Sequence, residues 1–369
     1  MLNTTISEIM GDNYPIFIGD KSLENLNAFL KKYYSKSKFV IIVDQNTINH
    51  CLPTIIANVD QLKKADIIEI EDGENNKNIE ICTQIWHTLS DSKIDRKSLI
   101  INVGGGVVTD MGGFVAAAFK RGIDFINIPT TLLAQVDAAI GGKTSVNLKT
   151  ENAKDFLLKN EIGFFKNPKA VVIYPTFLKT ISQQQLISGY AEMIKHALIT
   201  DKKHWEELKQ LKKINYKILK QYIVNSIQIK NKIVLLDPTE KNIREALNFG
   251  HTIGHAIESA SHENGKKLLH GEAIAIGIIC EAFLSYKKNF LNINELNEIK
   301  NHIHSIFGTV THLEKIKIND LIELMKHDKK NKKNTIKFTL LNGIGATKLS
   351  QTCSIPLIKE ALSYYTKNT

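Results

Sequence analysis

Five short apolar runs, Phe39–Val43, Ile67–Ile70, Leu99–Val103, Phe125–Ile128 and Ala170–Tyr174, punctuate the first half of the chain. Each is shorter than a helix and mostly apolar, which reads as a buried strand. Segments with helical spacing, such as Ser22–Tyr34 and Ile79–Leu89, lie between them. That alternation predicts a mostly parallel sheet with helices on its faces. Ligands of such sheets bind beyond the carboxyl ends of the strands. The residues that follow each run are therefore the ones to inspect.

Asp44, Gln45 and Asn46 follow the first run, and Asp72, Gly73, Glu74, Asn75, Asn76 and Lys77 follow the second. An acidic residue there can bind ribose hydroxyls, although Asp, Asn and Gly also favour plain turns. Gly104-Gly105-Gly106-Val107-Val108-Thr109-Asp110 follows the third run. Glycines admit a pyrophosphate close to the backbone, and the next helix offers free N–H groups and its positive end. Thr109 stands where a third fingerprint glycine would be, and no Gly-Lys-Ser/Thr closes a P-loop. Thr130, Thr131 and Asp137, then Gly141-Gly142-Lys143 through Asn147, follow the fourth run. Hydroxyls and a lysine beside glycines suit an anion; helix capping by Thr130 and a solvated Lys143 are the plainer reading. A polar insertion, Leu148–Leu158, separates these from Lys159-Asn160-Glu161-Ile162-Gly163-Phe164-Phe165.

Beyond Tyr174-Pro175 the strand pattern fades, and a domain boundary is expected near residue 175, giving domains 1–175 and 176–369. Helical spacing marks Gly189–Leu198, His204–Leu236, Ile243–Ser261, Gly271–Tyr286 and Ile293–Phe307. His251 and His255 lie four apart, one turn of helix, and Glu258 continues their face. Ser261-His262-Glu263-Asn264-Gly265 reads as a loop leading to His270 and Glu272. Several imidazoles and carboxylates in one short region are the makings of a divalent metal site. Arg244 is four before Asn248 and is expected to share this helix's face; Glu192, Lys195 and His196 share another.

A formal net charge of +10 over 369 residues raises the question of nucleic acid. The lysines are dispersed, and no arginine-rich or aromatic-interleaved segment occurs, so a small anionic substrate suits the charge better. Cys51, Cys82, Cys280 and Cys353 form no C-x-x-C pair, which argues for a reducing compartment. No signal-peptide pattern opens the chain and no apolar run is long enough to span a membrane, so a cytoplasmic protein is expected.

From Tyr14 to the Asp328-Lys329-Lys330 region the motifs together resemble the 3-dehydroquinate synthase family of sugar-phosphate cyclases. The specific pieces are Gly104–Asp110, Pro129–Asn147, Gly189–Lys195, and Arg244–His255 with Leu269-His270-Gly271-Glu272. The resemblance implies a Rossmann-like NAD-binding α/β domain followed by an all-α metal-binding domain, in a homodimer. The implied reaction takes 3-deoxy-D-arabino-heptulosonate 7-phosphate to 3-dehydroquinate and phosphate. Transient oxidation by NAD, β-elimination of phosphate, reduction and an intramolecular aldol closure would accomplish it.

Carried over by position, the zinc or cobalt ligands are Glu192, His251 and His270, and His255 turns toward the substrate. Asp44, Asn46, Asp72 to Lys77, Gly106 to Asp110, Thr130, Thr131, Lys143, Lys159 and Phe177-Leu178-Lys179-Thr180 are implied for NAD. Lys143, Asn160, Lys195, Lys230, Arg244, Asn248 and His255 are implied for the substrate's phosphate and carboxylate, with Lys329 or Lys330 at the edge. Asp137 would orient Lys143 or a proton-transfer group, Arg121 would reach an active site of its own or a neighbouring subunit, and His255 would shuttle protons. The insertion, Gln185, Pro238 and Asn242 depart from the family pattern; Lys154-Asp155 competes with Lys159-Asn160 for one family position. Another sugar-phosphate cyclase, a metal-dependent polyol dehydrogenase and a non-catalytic nucleotide- or RNA-binding protein are the rival readings.

Overall fold

The computed structural model describes residues 8–149, 157–263, 267–309, 316–326 and 335–367. Contacts divide the chain into two compact units, Met1–Ser182 with Tyr216–Asn231, and Gln183–Asn215 with Lys232–Thr369. A single boundary near residue 175 misses the return of 216–231 to the first unit. The short helix Tyr216–Leu219 packs on the 3-10 turn Pro175–Lys179, with the Lys179 ammonium 5.8 Å from the centre of the Tyr216 ring. Lys220 also pairs with Asp20 at 2.8 Å.

Among the described residues the first unit contains β1 (Glu8–Met10), β2 (Pro15–Ile18), β3 (Phe39–Asp44), β4 (Asp66–Ile70), β5 (Leu99–Gly104), β6 (Asp124–Pro129), β7 (Lys143–Lys149), β8 (Leu157–Phe165) and β9 (Ala170–Ile173). Seven of these form one sheet in the order β1-β2-β9-β6-β5-β3-β4, parallel except for β1 on β2. The five apolar runs are therefore strands. Their side chains alternate between two cores. Ile41, Val43, Ile101 and Ile126 meet Leu23, Leu26 and Leu30 of the helix Ser22–Tyr33 on one face. Val40, Ile42, Ile100 and Phe125 meet the helices Ile79–Asp91 and Gly106–Ala118 on the other. Burial on both faces explains why β3, β5, β6 and β9 carry so few polar residues, whereas β4 at the sheet edge leaves Ile67 and Glu69 exposed.

β7 and β8 form a separate antiparallel hairpin, with a register shift between Val146 and Leu148. Of the expected polar insertion, Leu148 and Lys149 belong to β7 and Leu157 and Leu158 to β8, while 150–156, including Lys154 and Asp155, lie outside the described residues. Phe164 stacks on Phe114 of the glycine-loop helix at 5.3 Å, which seats the hairpin against that face.

The second unit is largely helical and also holds a hairpin of β10 (Lys337–Leu341) and β11 (Thr347–Thr352), so it is not all-α. Its centre is the helix His270–Lys287, in which Gly271 and every residue from Ala273 to Ser285 are buried. A helix apolar all round requires neighbours on every side, and it packs against Gln183–Thr200, His251–Glu263, Ile293–Phe307 and Ile355–Lys367. Two sequence expectations are corrected here. The continuous helix expected over Ile243–Ser261 is broken: Ile243–Asn248 is a 3-10 turn, and a new helix starts at His251. Gly250 makes the break in a left-handed conformation (φ 78°), where an added Cβ would fall 2.6 Å from Ile278. Arg244 and Asn248 consequently do not share a helix face with His251. The helix also continues through Glu263, where a loop was expected; 264–266 lie outside the described residues. No helix among the described residues is long and apolar enough to cross a membrane.

Candidate active site

In the first unit β3 has β4 on one side and β5 on the other, so the sheet changes direction between β3 and β5. Ligand crevices of open α/β sheets form at such a point. Asp44 ends β3 and Gly104 ends β5, and the Thr47 hydroxyl donates to the Val103 carbonyl at 3.0 Å, tying the two ends together. Asp44 Oδ1 accepts from the backbone N–H groups of Asn46 (3.0 Å) and Thr47 (2.8 Å), so ordinary turn chemistry is realised there. Asn46 donates to Asp72 at 3.0 Å.

The glycine loop divides its work. A Cβ on Gly104 would lie 2.4 Å from Val108, so this glycine is required by packing against its own helix. One on Gly106 would meet only Ala138, at an ordinary 3.5 Å. Packing does not require Gly106, the first residue of the helix Gly106–Ala118, and the backbone N–H groups of a helix N-terminus suit a phosphate. Val108 and Thr109 are buried and belong to the helix's packed side. Thr130 donates its N–H to Gly104 at 3.0 Å. Thr131, not Thr130, caps the following turn, accepting from the Ala134 N–H at 3.2 Å. That turn is π-helical over Ala134–Ala138 and carries Asp137, whose carboxylate pairs with Lys230.

A polar cluster stands beside the glycine-loop helix. Lys77 pairs with Asp110 at 2.6 Å and donates to Asn160. Ser145 donates to the same Asn160 oxygen at 2.8 Å, and Asn147 accepts from the Asn160 N–H at 2.9 Å. Asn147 also donates to Glu74 at 2.8 Å, with Lys159 3.9 Å from that carboxylate. Burial raises Asp110 above the usual carboxylate range, against the opposing pull of Lys77. The hairpin thus brings Lys159 and Asn160 to Glu74 and Lys77, residues far away in sequence. Phe177 and Leu178 are buried, Phe177 within the sheet core, while Lys179 and Thr180 are exposed. Lys143 and Arg121 are exposed too.

In the second unit three helices converge. Glu192, fully buried on Gln183–Thr200, places Oε1 3.6 Å from His251 Nε2 and 3.3 Å from His270 Nε2. Lys195, one turn on, pairs with Glu192 Oε2. The other ring nitrogens are also engaged: His251 Nδ1 is 3.1 Å from the Phe249 carbonyl, and His270 Nδ1 is 3.2 Å from Glu258 Oε2. The ring of His255 lies 5.0 Å from that of His251 and 5.7 Å from that of His270. Close packing of the helices makes this convergence. Gly271 rests against Ser188, where an added Cβ would fall 1.9 Å from the carbonyl oxygen, and its N–H donates to the Ser188 hydroxyl at 2.9 Å.

The donor set fits a divalent metal ion. Zinc–ligand bonds of about 2.0–2.1 Å at tetrahedral angles separate neighbouring ligand atoms by about 3.3–3.4 Å, close to the spacing from Glu192 Oε1 to the two imidazoles. Burial, helped by Lys195, holds His251 well below the usual histidine range, in the neutral form a ligand needs. Burial opposes protonation of His270 as well, but Glu258 and Glu192 outweigh it and raise the imidazole to about 10. A position so favourable to positive charge suits a cation.

Arg244, 1% exposed, donates to the Pro238 carbonyl at 2.6 Å, and its N–H bonds Asp237 at 3.1 Å. Asn248 donates to Glu240 at 3.1 Å. Lys329 and Lys330 lie outside the described residues. Two carboxylates escaped a role in the sequence reading. Glu258 holds His270, and Glu281 accepts from the N–H groups of Gly250 (2.7 Å) and Ile253 (3.2 Å) at the start of the His251 helix. The helical spacing from His251 to Glu258 was a usable signal for the first; nothing local announced the second.

Residues 67–188 match the family model for the 3-dehydroquinate synthase N-terminal region, and 189–331 the one for its C-terminal region. The 3-dehydroquinate synthase of Parabacteroides distasonis is 41% identical over 351 residues, covering 93% of this chain and 96% of that one. Among solved structures, a 2-deoxy-scyllo-inosose synthase aligns with a TM-score of 0.81 at 25% identity, covering 97% of this chain and 99% of the other. The 2-epi-5-epi-valiolone synthase of Streptomyces hygroscopicus subsp. jinggangensis, solved with NAD+ and Zn2+ bound, aligns with a TM-score of 0.81 at 22% identity over 99% of both chains.

Proposed function

The chain belongs to the 3-dehydroquinate synthase family, and from that premise we propose that it converts 3-deoxy-D-arabino-heptulosonate 7-phosphate to 3-dehydroquinate and phosphate with NAD and one divalent metal ion bound. The observation that carries the reading is the approach of Glu192 Oε1 to the Nε2 atoms of both His251 and His270. These three would hold zinc or cobalt; the first unit, through Gly106–Asp110, Asp44, Asn46, Glu74 and Lys77, would hold NAD. Bound there, the metal would supply acidification of a substrate hydroxyl and NAD a reversible hydride acceptor. The net reaction is redox-neutral and eliminates phosphate, which makes the enzyme a carbon–oxygen lyase.

The chain's own residues bind, orient and move protons. Lys195, Lys230 and Arg244 are almost wholly buried, and each is held by a fixed partner: Glu192, Asp137 and the Pro238 carbonyl. Cations fixed in advance stabilise anionic groups without reorganising when the substrate arrives, and these are the groups assigned to its phosphate and carboxylate. Lys143, Asn160 and Asn248 complete that set. Asp137 positions Lys230, a role that its pairing in the structure supports. His255, beside the two histidine ligands yet partly exposed, is the group assigned to proton transfer. A homodimer to which Arg121 contributes across subunits, and a cytoplasmic setting, complete the reading; the four free thiols support the latter.

A phosphate-release assay with the heptulosonate phosphate, followed together with absorbance in the NADH band, tests this. Phosphate should appear only when NAD and a divalent metal are both supplied, and no net NADH should accumulate. Stoichiometric NADH would mark a polyol dehydrogenase instead. Full-rate release by chelated enzyme would overturn the metal's part.

A further inference from the structure

We infer that Glu258 is a positioning residue for the metal centre, holding His270 in the one tautomer and ring orientation that present Nε2 to the ion. The inference rests on Glu192, His251 and His270 being the ligands.

Glu258 lies on the same helix as His251, two turns further on, and therefore on the same face. It is 2% exposed, and its Oε2 stands 3.2 Å from His270 Nδ1. His270 opens a different helix, and its other nitrogen, Nε2, is 3.3 Å from Glu192. An imidazole has two nitrogens, and in the neutral ring one donates while the other keeps a lone pair. With Glu258 accepting the Nδ1 proton, the Nε2 lone pair is left for the ion. His251 meets the same requirement through the Phe249 carbonyl, 3.1 Å from its Nδ1. That acceptor belongs to the backbone and comes with the helix start. For His270 a side chain from the neighbouring helix takes the role. Glu258 therefore also fixes the helix bearing one histidine ligand against the other histidine ligand. Carboxylates in this position orient metal-bound histidines generally, and their loss costs about 10–100-fold in metal affinity.

Titration of metal-free protein with Co2+, read by visible absorption, tests the inference apart from activity. Glu258→Gln preserves size and hydrogen bonding but removes the charge; Glu258→Ala removes both. The Kd for Co2+ should rise by roughly 10–100-fold in Glu258→Gln and at least as much in Glu258→Ala. At saturating Co2+ both variants should regain one ion per chain and a spectrum of the same coordination number as the unaltered protein. Thermal unfolding of the metal-free forms provides the fold control, and the Gln variant carries the test if the Ala variant does not fold. An unchanged Kd would overturn the inference. A changed coordination number at saturation would overturn it too, by making Glu258 a ligand. If the unaltered protein takes up no Co2+, the ligand assignment itself fails, which is distinguishable from both.

Discussion

Glu192 brings one buried carboxylate within reach of Lys195, His251 and His270. A buried carboxylate is costly unless its charge is matched, and here the neighbours supply one ammonium and two imidazoles aimed at it. The two histidines four apart in the sequence have different surroundings. His251 is buried with Nδ1 at a backbone carbonyl, whereas His255 is partly exposed. His251→Ala should therefore abolish stoichiometric metal binding, measured by elemental analysis after dialysis. His255→Ala should retain the metal and lose about 10²–10⁴-fold in kcat, the usual worth of a proton-transfer group. Metal loss in His255→Ala, with retention in His251→Ala, would exchange their roles. Spacing alone could not separate these two residues, because both lie on one face of one helix; the difference comes from what each face position meets.

Helices, not loops, bring Glu192, His251 and His270 together, and their approach is set by small residues. Gly271 sits against the Ser188 carbonyl, immediately after His270 and one turn before Glu192 along the partner helix. Gly271→Ala would force these helices apart at the point where His270 faces Glu192. A loss of about 1–3 kcal/mol by denaturant unfolding is expected from overpacking, with weaker Co2+ binding in the folded protein. Undiminished stability and metal affinity would show that the contact is not needed. Strand elements were legible wherever an apolar run was buried on both faces. β7 and β8 were not, because this hairpin, with one face on a helix, carries polar residues, Lys143 at an exposed position and Asn147 and Lys159 against Glu74. The break at Gly250 was equally hidden, since the residues on either side keep a helical pattern.

At the scale of the whole chain, buried neutral histidines link stability to pH. Burial lowers His204 and His302 to about 4, whereas an exposed histidine titrates near 6.5. Between those values the unfolded chain binds protons that the folded chain does not, so stability falls as pH drops from about 6.5 toward 4. Each histidine contributes up to about 1.4 kcal/mol per pH unit in that window. Denaturant midpoints at pH 7.5, 5.5 and 4.5 should decline accordingly, and His302→Gln should flatten the decline by one histidine's share; an unaltered slope would exclude His302. The sequence by itself determined the parallel sheet, the glycine loop after its third apolar run and the set of chemistry-bearing residues. Those depend on periodicity and turn chemistry, which act over a few residues. Tertiary structure alone decided that 216–231 belong with the first unit, that Lys230 pairs with Asp137, and that Glu258 holds His270. Each of these is a choice of partner made between separate elements, and such choices follow from which surfaces pack, not from the pattern within any one segment.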